Sequence, residues 1–572
     1  MIFSHYIIGI LEDNVWAYML PHFVNGLTGC TTYIGYPTGT CNHLGSQPLI
    51  YVVIFFLTKI SNPVFGYNLL IFGGMILNFI FAFKFFKKLF NSLISSILTI
   101  VFLLSPYFYY HGRSHTELIQ FWLVIWFLDI LFFSKTRYKG IYLGVVLAIT
   151  TAVSNYLGYF TFLFTSLYLT FGFLFQRSKV LIIKKYYLDV IMATLIFILL
   201  SATYLIPYIR SSHSIPGSKE GNGNYVTVTQ RPFEDFIIFS SRPWYYLMPS
   251  VDNPFLSGVS KEFLKRISSG GNYLTQNYFK VEHSDSFLGW VNTCLGVVGG
   301  LFLLKTTKNR PNSDNESSVN FLVIFLCMVG LVTLSMPPYV SISGVGFYTP
   351  SFILFKVFPM FRVLARLGVL ILFLTLIFTG YGYKVILNLG ASVRTKRFLA
   401  YFATGFLVIF SLVEFFVTIK IEKIGSSPQV YGYLSSMDAG KFPIVVYPYS
   451  KTTEAIFWMS IYKQPIINPR GYVNFSTGFT SEDFTKRLNT SDGLEKAKNM
   501  GAKYLVYFYD EDKRNSAEFF ANNPYLIDTK QFEEPFQGEK RITLPYLSEY
   551  VIAKVTDSRT GEPNSAILYS FK

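Results

Sequence analysis

Residues 118–175 read LIQFWLVIWFLDILFFSKTRYKGIYLGVVLAITTAVSNYLGYFTFLFTSLYLTFGFLF, and their pattern decides the fold. Three apolar runs, 118–134, 139–154 and 156–175, are divided first by a break carrying Lys135, Arg137 and Lys139, then by the uncharged turn Ser154-Asn155-Tyr156. Each run is near the ~20 residues a helix needs to cross roughly 30 Å of hydrocarbon. A basic break followed by an uncharged one is the signature of a chain that recrosses a bilayer, because cytoplasmic loops collect Lys and Arg.

The same pattern extends in both directions through 66–86, 93–110, 188–208, 286–305, 319–336, 362–385 and 398–419, which predicts about ten spans. Alternate breaks carry Lys84, Lys87 and Lys88; Arg177, Lys179, Lys184 and Lys185; Lys305, Lys308 and Arg310; and Lys384, Arg394, Lys396 and Arg397. These faces are read as cytoplasmic, and they hold most of the net charge of +16, so the excess marks topology rather than a nucleic-acid surface. With 51% hydrophobic and 14% charged residues the chain is too apolar for a soluble protein, and 19% aromatic residues and 4 Cys exclude a disordered chain and a disulfide scaffold.

The complementary breaks face outward: a first outer loop at 11–65, the short segment 106–117, a large loop at 209–285, and 337–352. Within the first loop, Gln47–Ile60 is apolar but reaches only about 21 Å, so it is read as an interfacial or re-entrant helix. Met1–Leu11 is half a span, read as the remainder of a helix whose beginning is missing or as a short surface helix. The expected fold class is therefore a polytopic α-helical membrane protein of 10–11 helices in residues 1–420, set in the plasma membrane. After Lys420 the composition turns soluble, and 421–572 reads as a mixed α/β domain on the extracytoplasmic side, with strands at Phe442–Tyr449, Tyr504–Tyr509, Val551–Val555 and Ala566–Phe571 and a helix at Gly493–Met500.

Three outer-boundary clusters carry candidate chemistry. Glu12 and Asp13 are the only acidic residues before Glu117, and carboxylates at a membrane boundary are costly unless solvated or used. A desolvated carboxylate there can serve as general base on an acceptor hydroxyl, whereas the structural alternative is an N-terminal cap on a helix from Asn14. The second cluster, His111-Gly112-Arg113-Ser114-His115-Thr116-Glu117, follows an aromatic run and offers Arg113 and two histidines to an anionic headgroup; a solvated turn is the alternative. His111 and His115 lack a third ligand, so no zinc site is read here. In the third, Phe361-Arg362-Val363-Leu364-Ala365-Arg366, the i, i+4 spacing puts both guanidinium groups on one face of a helix end, suited to phosphate or to snorkelling among headgroups. Asp129 is expected to pair at the basic break, and Glu414 is left as structural or part of the site. No cofactor is indicated; a divalent metal is compatible but unmarked. Cys30 and Cys41 share the first outer loop, and their eleven-residue spacing suits a disulfide or two free thiols.

The order of these motifs resembles the GT-C superfamily of polytopic membrane glycosyltransferases, in particular a prokaryotic YfhO-like branch. The residues that carry the likeness are Glu12-Asp13, Tyr33-Ile34-Gly35-Tyr36-Pro37-Thr38-Gly39, Pro48-Leu49, Ser105-Pro106-Tyr107 with Gly112 and His115, Tyr246-Leu247-Met248-Pro249-Ser250, and the Arg362/Arg366 segment. The resemblance implies inverting transfer of a sugar from a polyprenyl-phosphate carrier to a glycan, lipid or protein acceptor on the outer face. Asp13, with Glu12 as alternate, would be the catalytic base, and Arg113, His111, His115, Glu117, Arg362 and Arg366 would surround the substrate and its phosphate. A lipid-linked-glycan transporter and a non-catalytic scaffold are the rival classes.

Overall fold

The structure is a computed structural model that describes residues 6–8, 29–42, 47–60, 63–112, 115–175, 179–213, 218–219, 225–226, 231–268, 278–308, 320–342, 345–389, 394–423, 427–437, 442–469, 473–474, 479–509, 512–513, 515–532, 540–544, 547–557 and 566–572. Glu12, Asp13 and Arg113 lie outside them. The helices in chain order are α1 Pro48–Ile60, α2 Pro63–Lys87, α3 Ser92–Leu103, α4 Pro106–His111, α5 Trp122–Phe133, α6 Lys139–Val153, α7 Asn155–Phe175, α8 Lys179–His213, α9 Phe233–Ile238, α10 Ser257–Ser268, α11 Lys280–Ser286, α12 Trp290–Lys308, α13 Phe321–Ser335, α14 Ser351–Val357, α15 Gly368–Leu389 and α16 Arg394–Phe415. The chain is a polytopic helical membrane protein with a mixed α/β region at its C-terminal end.

All ten apolar runs form helices, but among the described residues only six segments are long and apolar enough to cross a membrane: Pro63–Lys87, Asn155–Phe175, Tyr187–Ile206, Lys280–Thr306, Leu364–Asn388 and Thr395–Phe415. The four other expected spans, α3, α5, α6 and α13, are 12 to 15 residues long. Pro106 ends the expected span 93–110 early, since proline donates no backbone hydrogen bond, and the chain restarts as α4. The start of 118–134 is not helical at all, for a reason that belongs to the site.

One helix organises the bundle. The α15 segment is buried along almost its whole length, where Leu370, Phe373, Leu374, Ile377 and Tyr383 meet α3, α12 and α13. By contrast α8 touches little but α6 and shows Leu188, Ile191, Leu195 and Leu199 outward, the surface of a lipid-facing helix.

At one end of α2, Lys88 bonds Asp129 at 2.7 Å, as the basic break requires. At the other end, Tyr67 donates to the Gly112 carbonyl at 2.5 Å. Those positions are about 30 Å apart along the helix, a bilayer's width.

The C-terminal region sits at the Tyr67 end. Its four-stranded sheet runs in the order Leu526–Phe532, Ala566–Phe571, Tyr504–Tyr507, Ile444–Tyr447, with the last two strands parallel and the others antiparallel. Alternation along the strands separates two cores: Val446 and Val506 face Tyr431, Met459 and Tyr462 together with Ile50 and Ile54 of α1, while Val445 and Leu505 face Phe484, Leu494 and Phe520. Helix α1 is thus a floor for this region.

A second sheet pairs Tyr6–Ile8 with Ile419–Lys423, which in turn pairs with Leu547–Asp557. Within the N-terminal apolar segment the described residues 6–8 are therefore a strand rather than part of the expected helix; the β-branched pair Ile7-Ile8 pairs with the alternating Ile-Lys-Ile-Glu-Lys. In the first loop, a hairpin register sets Cys30 opposite Cys41.

Candidate functional site

The segment 115–121 enters the bundle without forming a helix. It descends beside α2 from the level of Tyr67 to that of Asn78, about 16 Å, and its polar backbone must be satisfied on the way. Asn78 Nδ2 donates to the Ile119 carbonyl at 2.6 Å, and Gln120 Nε2 reaches the Leu70 and Thr116 carbonyls at 3.4 and 3.3 Å. The approach is close enough that a Cβ on Gly74 would stand 2.7 Å from Gln120 Nε2. This descent takes up the first part of the expected span, which is why α5 is only 12 residues long. It also carries His115, Thr116 and Glu117 inside.

Three other elements close on that segment: α4, α11 and the single turn Leu364–Leu367 that precedes α15. The buried His111 of α4 donates from Nε2 to Asp285 Oδ2 at 2.8 Å, since a carboxylate oxygen accepts. Arg366 Nη2 lies 3.4 Å from His115 Nε2, and because guanidinium only donates, this nitrogen of His115 accepts and the imidazole is neutral. The Arg366 guanidinium stacks 4.8 Å from the Tyr156 ring centre, and its buried Nε has no hydrogen-bond partner among the described residues. Glu282 Oε2 and Asp285 Oδ1, equally buried, have none either. One cation thus lies among several buried acids and neutral imidazoles.

A second network braces α11 from behind. Asp252 accepts from Tyr110 Oη at 2.5 Å and from Lys280 Nζ at 3.0 Å, and Ser284 bonds Ser250 at 2.9 Å. His283 donates from Nε2 to the Met248 carbonyl at 2.9 Å, which leaves Nδ1 to accept from Tyr278 at 3.0 Å.

The close fit of α11 against the turn depends on Gly368, where a Cβ would stand 2.3 Å from the Asp285 carbonyl oxygen. Gly368→Ala is expected to push α11 away from Arg366 and to cost about 1–3 kcal/mol as an overpacking defect. A melting temperature in detergent equal to that of the parent would contradict this.

Burial holds the His111 imidazole well below the usual histidine range, with Arg366 adding to it; His115 is lowered by burial first, then by Arg366, His111 and Arg362. Burial pushes Glu117 up. For the histidines, the unfolded chain takes up protons below about pH 6.5 that the folded chain refuses, so their contribution to stability is lost as pH falls through that value. Glu117 acts oppositely, favouring the fold below the ordinary carboxylate pKa and less as pH rises. The melting temperature of His115→Gln is therefore expected to fall less than that of the parent between about pH 7 and about pH 5. Equal slopes would mean that His115 is not held neutral.

The structure brings together His111, His115, Glu117 and Arg366. Arg362 stands apart: it is ion-paired with Asp235 of α9 and lies 5.0 Å from the Phe239 ring centre. The expected shared helix face is corrected, because helix α15 begins only at Gly368; the Ala365 amide is drawn to the Phe239 carbonyl instead, and the two arginines leave different turns. Glu414 accepts from the backbone amides of Trp290 and Val291 at 3.1 and 3.3 Å, capping α12, so its role is structural. Glu282, His283 and Asp285 fall in the large outer loop 209–285 of the sequence reading and are not singled out by it. The available signal was two acids three residues apart, abutting the apolar run from Phe287. Among the described residues no three His, Cys, Asp or Glu side chains are grouped to hold a metal ion.

No family model matches the chain, and no curated protein matches it. Among solved structures it is similar to the oligosaccharyltransferase of Archaeoglobus fulgidus in complex with Zn and sulfate, at a TM-score of 0.47 and 10% identity over 88% of this chain and 65% of that one. The same archaeal enzyme, AglB, with an inhibitory peptide and a dolichol-phosphate gives 0.43 at 11% identity, over 88% and 66%. ArnT from Cupriavidus metallidurans bound to undecaprenyl phosphate gives 0.42 at 9% identity, over 92% and 93%. The chain thus spans about two thirds of the length of the archaeal enzyme.

Proposed function

We propose that the chain is a membrane glycosyltransferase that moves a sugar from a polyprenyl-phosphate carrier to an acceptor, with inversion, on the membrane face that carries the polar cluster. The observation that carries this reading is Arg366, a buried guanidinium at the mouth of the helices with a donor left unpaired among the described residues. A phosphate oxygen is the group that such a donor suits, because arginine binds it through several fixed N–H bonds at once.

In the proposed step the acceptor hydroxyl loses its proton to a carboxylate and its oxygen attacks the anomeric carbon. The bond from that carbon to the phosphate oxygen breaks, and the electron pair stays on the phosphate. Arg366, assisted by Arg113 and by an Arg362 already held by Asp235, stabilises that developing charge. Asp13 is the proposed base on the strength of the family resemblance, with Glu12 as alternate. Neutral His115 and the His111–Asp285 pair orient Arg366, and Glu117 sets the polarity beside it.

The reading also makes this face extracytoplasmic, opposite the basic breaks, and gives the C-terminal region the acceptor side. A transporter would need charges spaced along the spans, whereas the buried acids and cations of the described helices gather at this end, apart from Lys139 at the other. The test is reconstitution of the full chain in liposomes with radiolabelled polyprenyl-phosphate sugar. Release of polyprenyl phosphate is the expected result; movement of the intact lipid without cleavage, or neither event, would reject the reading.

A further inference from the structure

We propose that the cleft between the basic ends of α2 and α15 binds the headgroup of an anionic phospholipid. This inference is independent of glycosyl transfer, because the cleft lies at the far end of the helices from Arg366.

The cleft has a volume of about 360 Å³ and is lined by Lys87, Lys88, Leu89, Phe90, Asn91, Ile94, Lys384, Leu387 and Asn388. Three of these side chains are cationic and none is acidic. Lys88 is engaged outside the cleft by Asp129 at 2.7 Å, and Lys87 bonds the neutral Ser92 hydroxyl at 2.5 Å. Lys384 reaches only toward the Tyr381 ring, 6.0 Å away, and neither it nor Lys87 has a carboxylate within salt-bridge distance among the described residues. Two exposed ammonium groups thus flank one recess without a counter-charge.

The recess is built rather than incidental. Its floor is Phe90 and Ile94, both buried, with the Phe90 ring packed edge-on against Tyr381 at 5.0 Å. Asn91 and Asn388 add neutral donors and acceptors at the rim, and Leu89 and Leu387 make its sides apolar. A phosphodiester suits the two lysines, glycerol hydroxyls suit the amides, and the first carbons of an acyl chain suit the leucines. Free phosphate shares only the first of these contacts. Basic recesses between membrane helices on the face that collects Lys and Arg are where anionic headgroups concentrate.

The test is native mass spectrometry of the full chain, titrated separately with phosphatidylglycerol, phosphatidylcholine and inorganic phosphate. Phosphatidylglycerol is expected to be retained over phosphatidylcholine, and the double variant Lys87→Gln, Lys384→Gln is expected to weaken its retention by roughly thirtyfold, the loss of two charge-assisted contacts to one phosphodiester. The control Lys135→Gln, Lys396→Gln removes the same charge from the same membrane face and is expected to change little. Equal losses in both double variants would show a general surface field and overturn the proposal. So would inorganic phosphate competing as well as the lipid, since the apolar walls would then contribute nothing.

Discussion

Asp13→Asn is expected to reduce sugar transfer by about 10²–10⁴-fold, the range a positioned general base supplies, and to leave expression and melting temperature unchanged. Asparagine keeps the size and the hydrogen-bonding atoms of aspartate but cannot take the proton of the acceptor hydroxyl. The stretch before Glu117 contains two acids, Glu12 and Asp13, so the base on that side of the membrane must be one of them if it comes from the first outer loop. Glu12→Gln separates the two: a smaller loss than for Asp13→Asn assigns the role to Asp13, and the reverse order assigns it to Glu12. A double variant, Asp13→Asn with Glu12→Gln, that transfers at the parental rate would falsify acid–base catalysis by this pair. Glu117, Glu282 and Asp285 would then be the carboxylates left beside Arg366 among the described residues, and Asp285 is already committed to His111.

Hydropathy found every long helix because lipid imposes one rule, about twenty apolar residues, over the whole length of a span. It failed where a span is not one helix. Leu118-Ile119-Gln120-Phe121 joins the apolar run that follows, so Gln120 is averaged into a helical window, although Asn78 and Gln120 satisfy the backbone of a non-helical segment inside the bundle. Ser105-Pro106 was legible as a break, but its consequence, a separate turn presenting His111 to Asp285, depends on contacts 174 residues apart.

Four strands of the C-terminal region are legible to within a few residues because their apolar pattern is local, and Ala566–Phe571 matches to the residue, whereas Ile419–Lys423, Leu526–Phe532 and Lys540–Leu544, rich in charged and polar residues, carry no such signal. Tyr6–Ile8 was misread since three residues show no period, and only their pairing with Ile419–Lys423 makes them a strand. In the site, Arg366, His115 and Glu117 were visible as polar residues at an apolar boundary. Glu282 and Asp285 were not, because a charged run beside a span reads as solvated until the small size of Gly368 lets α11 press against α15.

Arg366→Gln is expected to lower the transfer rate by about 10²–10³-fold, the loss seen when one preorganised donor to a developing oxyanion is removed. Two effects act together in this variant and are separable. The catalytic effect follows from the unpaired Nε: on the proposed reading that donor is used when the carrier phosphate is present, and glutamine cannot supply a charged fork. The structural effect follows from the company Arg366 keeps, since its charge offsets buried carboxyl groups on α11 and the descending segment, and a buried acid left without a cation is destabilising.

Arg366→Lys separates them, because lysine restores the charge but not the planar geometry. Its melting temperature is expected near that of the parent, with transfer intermediate between parent and Arg366→Gln. Arg362→Gln is expected to cost less, because Arg362 is bound to Asp235 and reaches the cluster only through its field. Parental transfer by a folded Arg366→Gln chain would remove the carrier phosphate from this site. Equal losses in Arg366→Lys and Arg366→Gln, with equal melting temperatures, would instead show that the fork, not the charge, is what the phosphate requires.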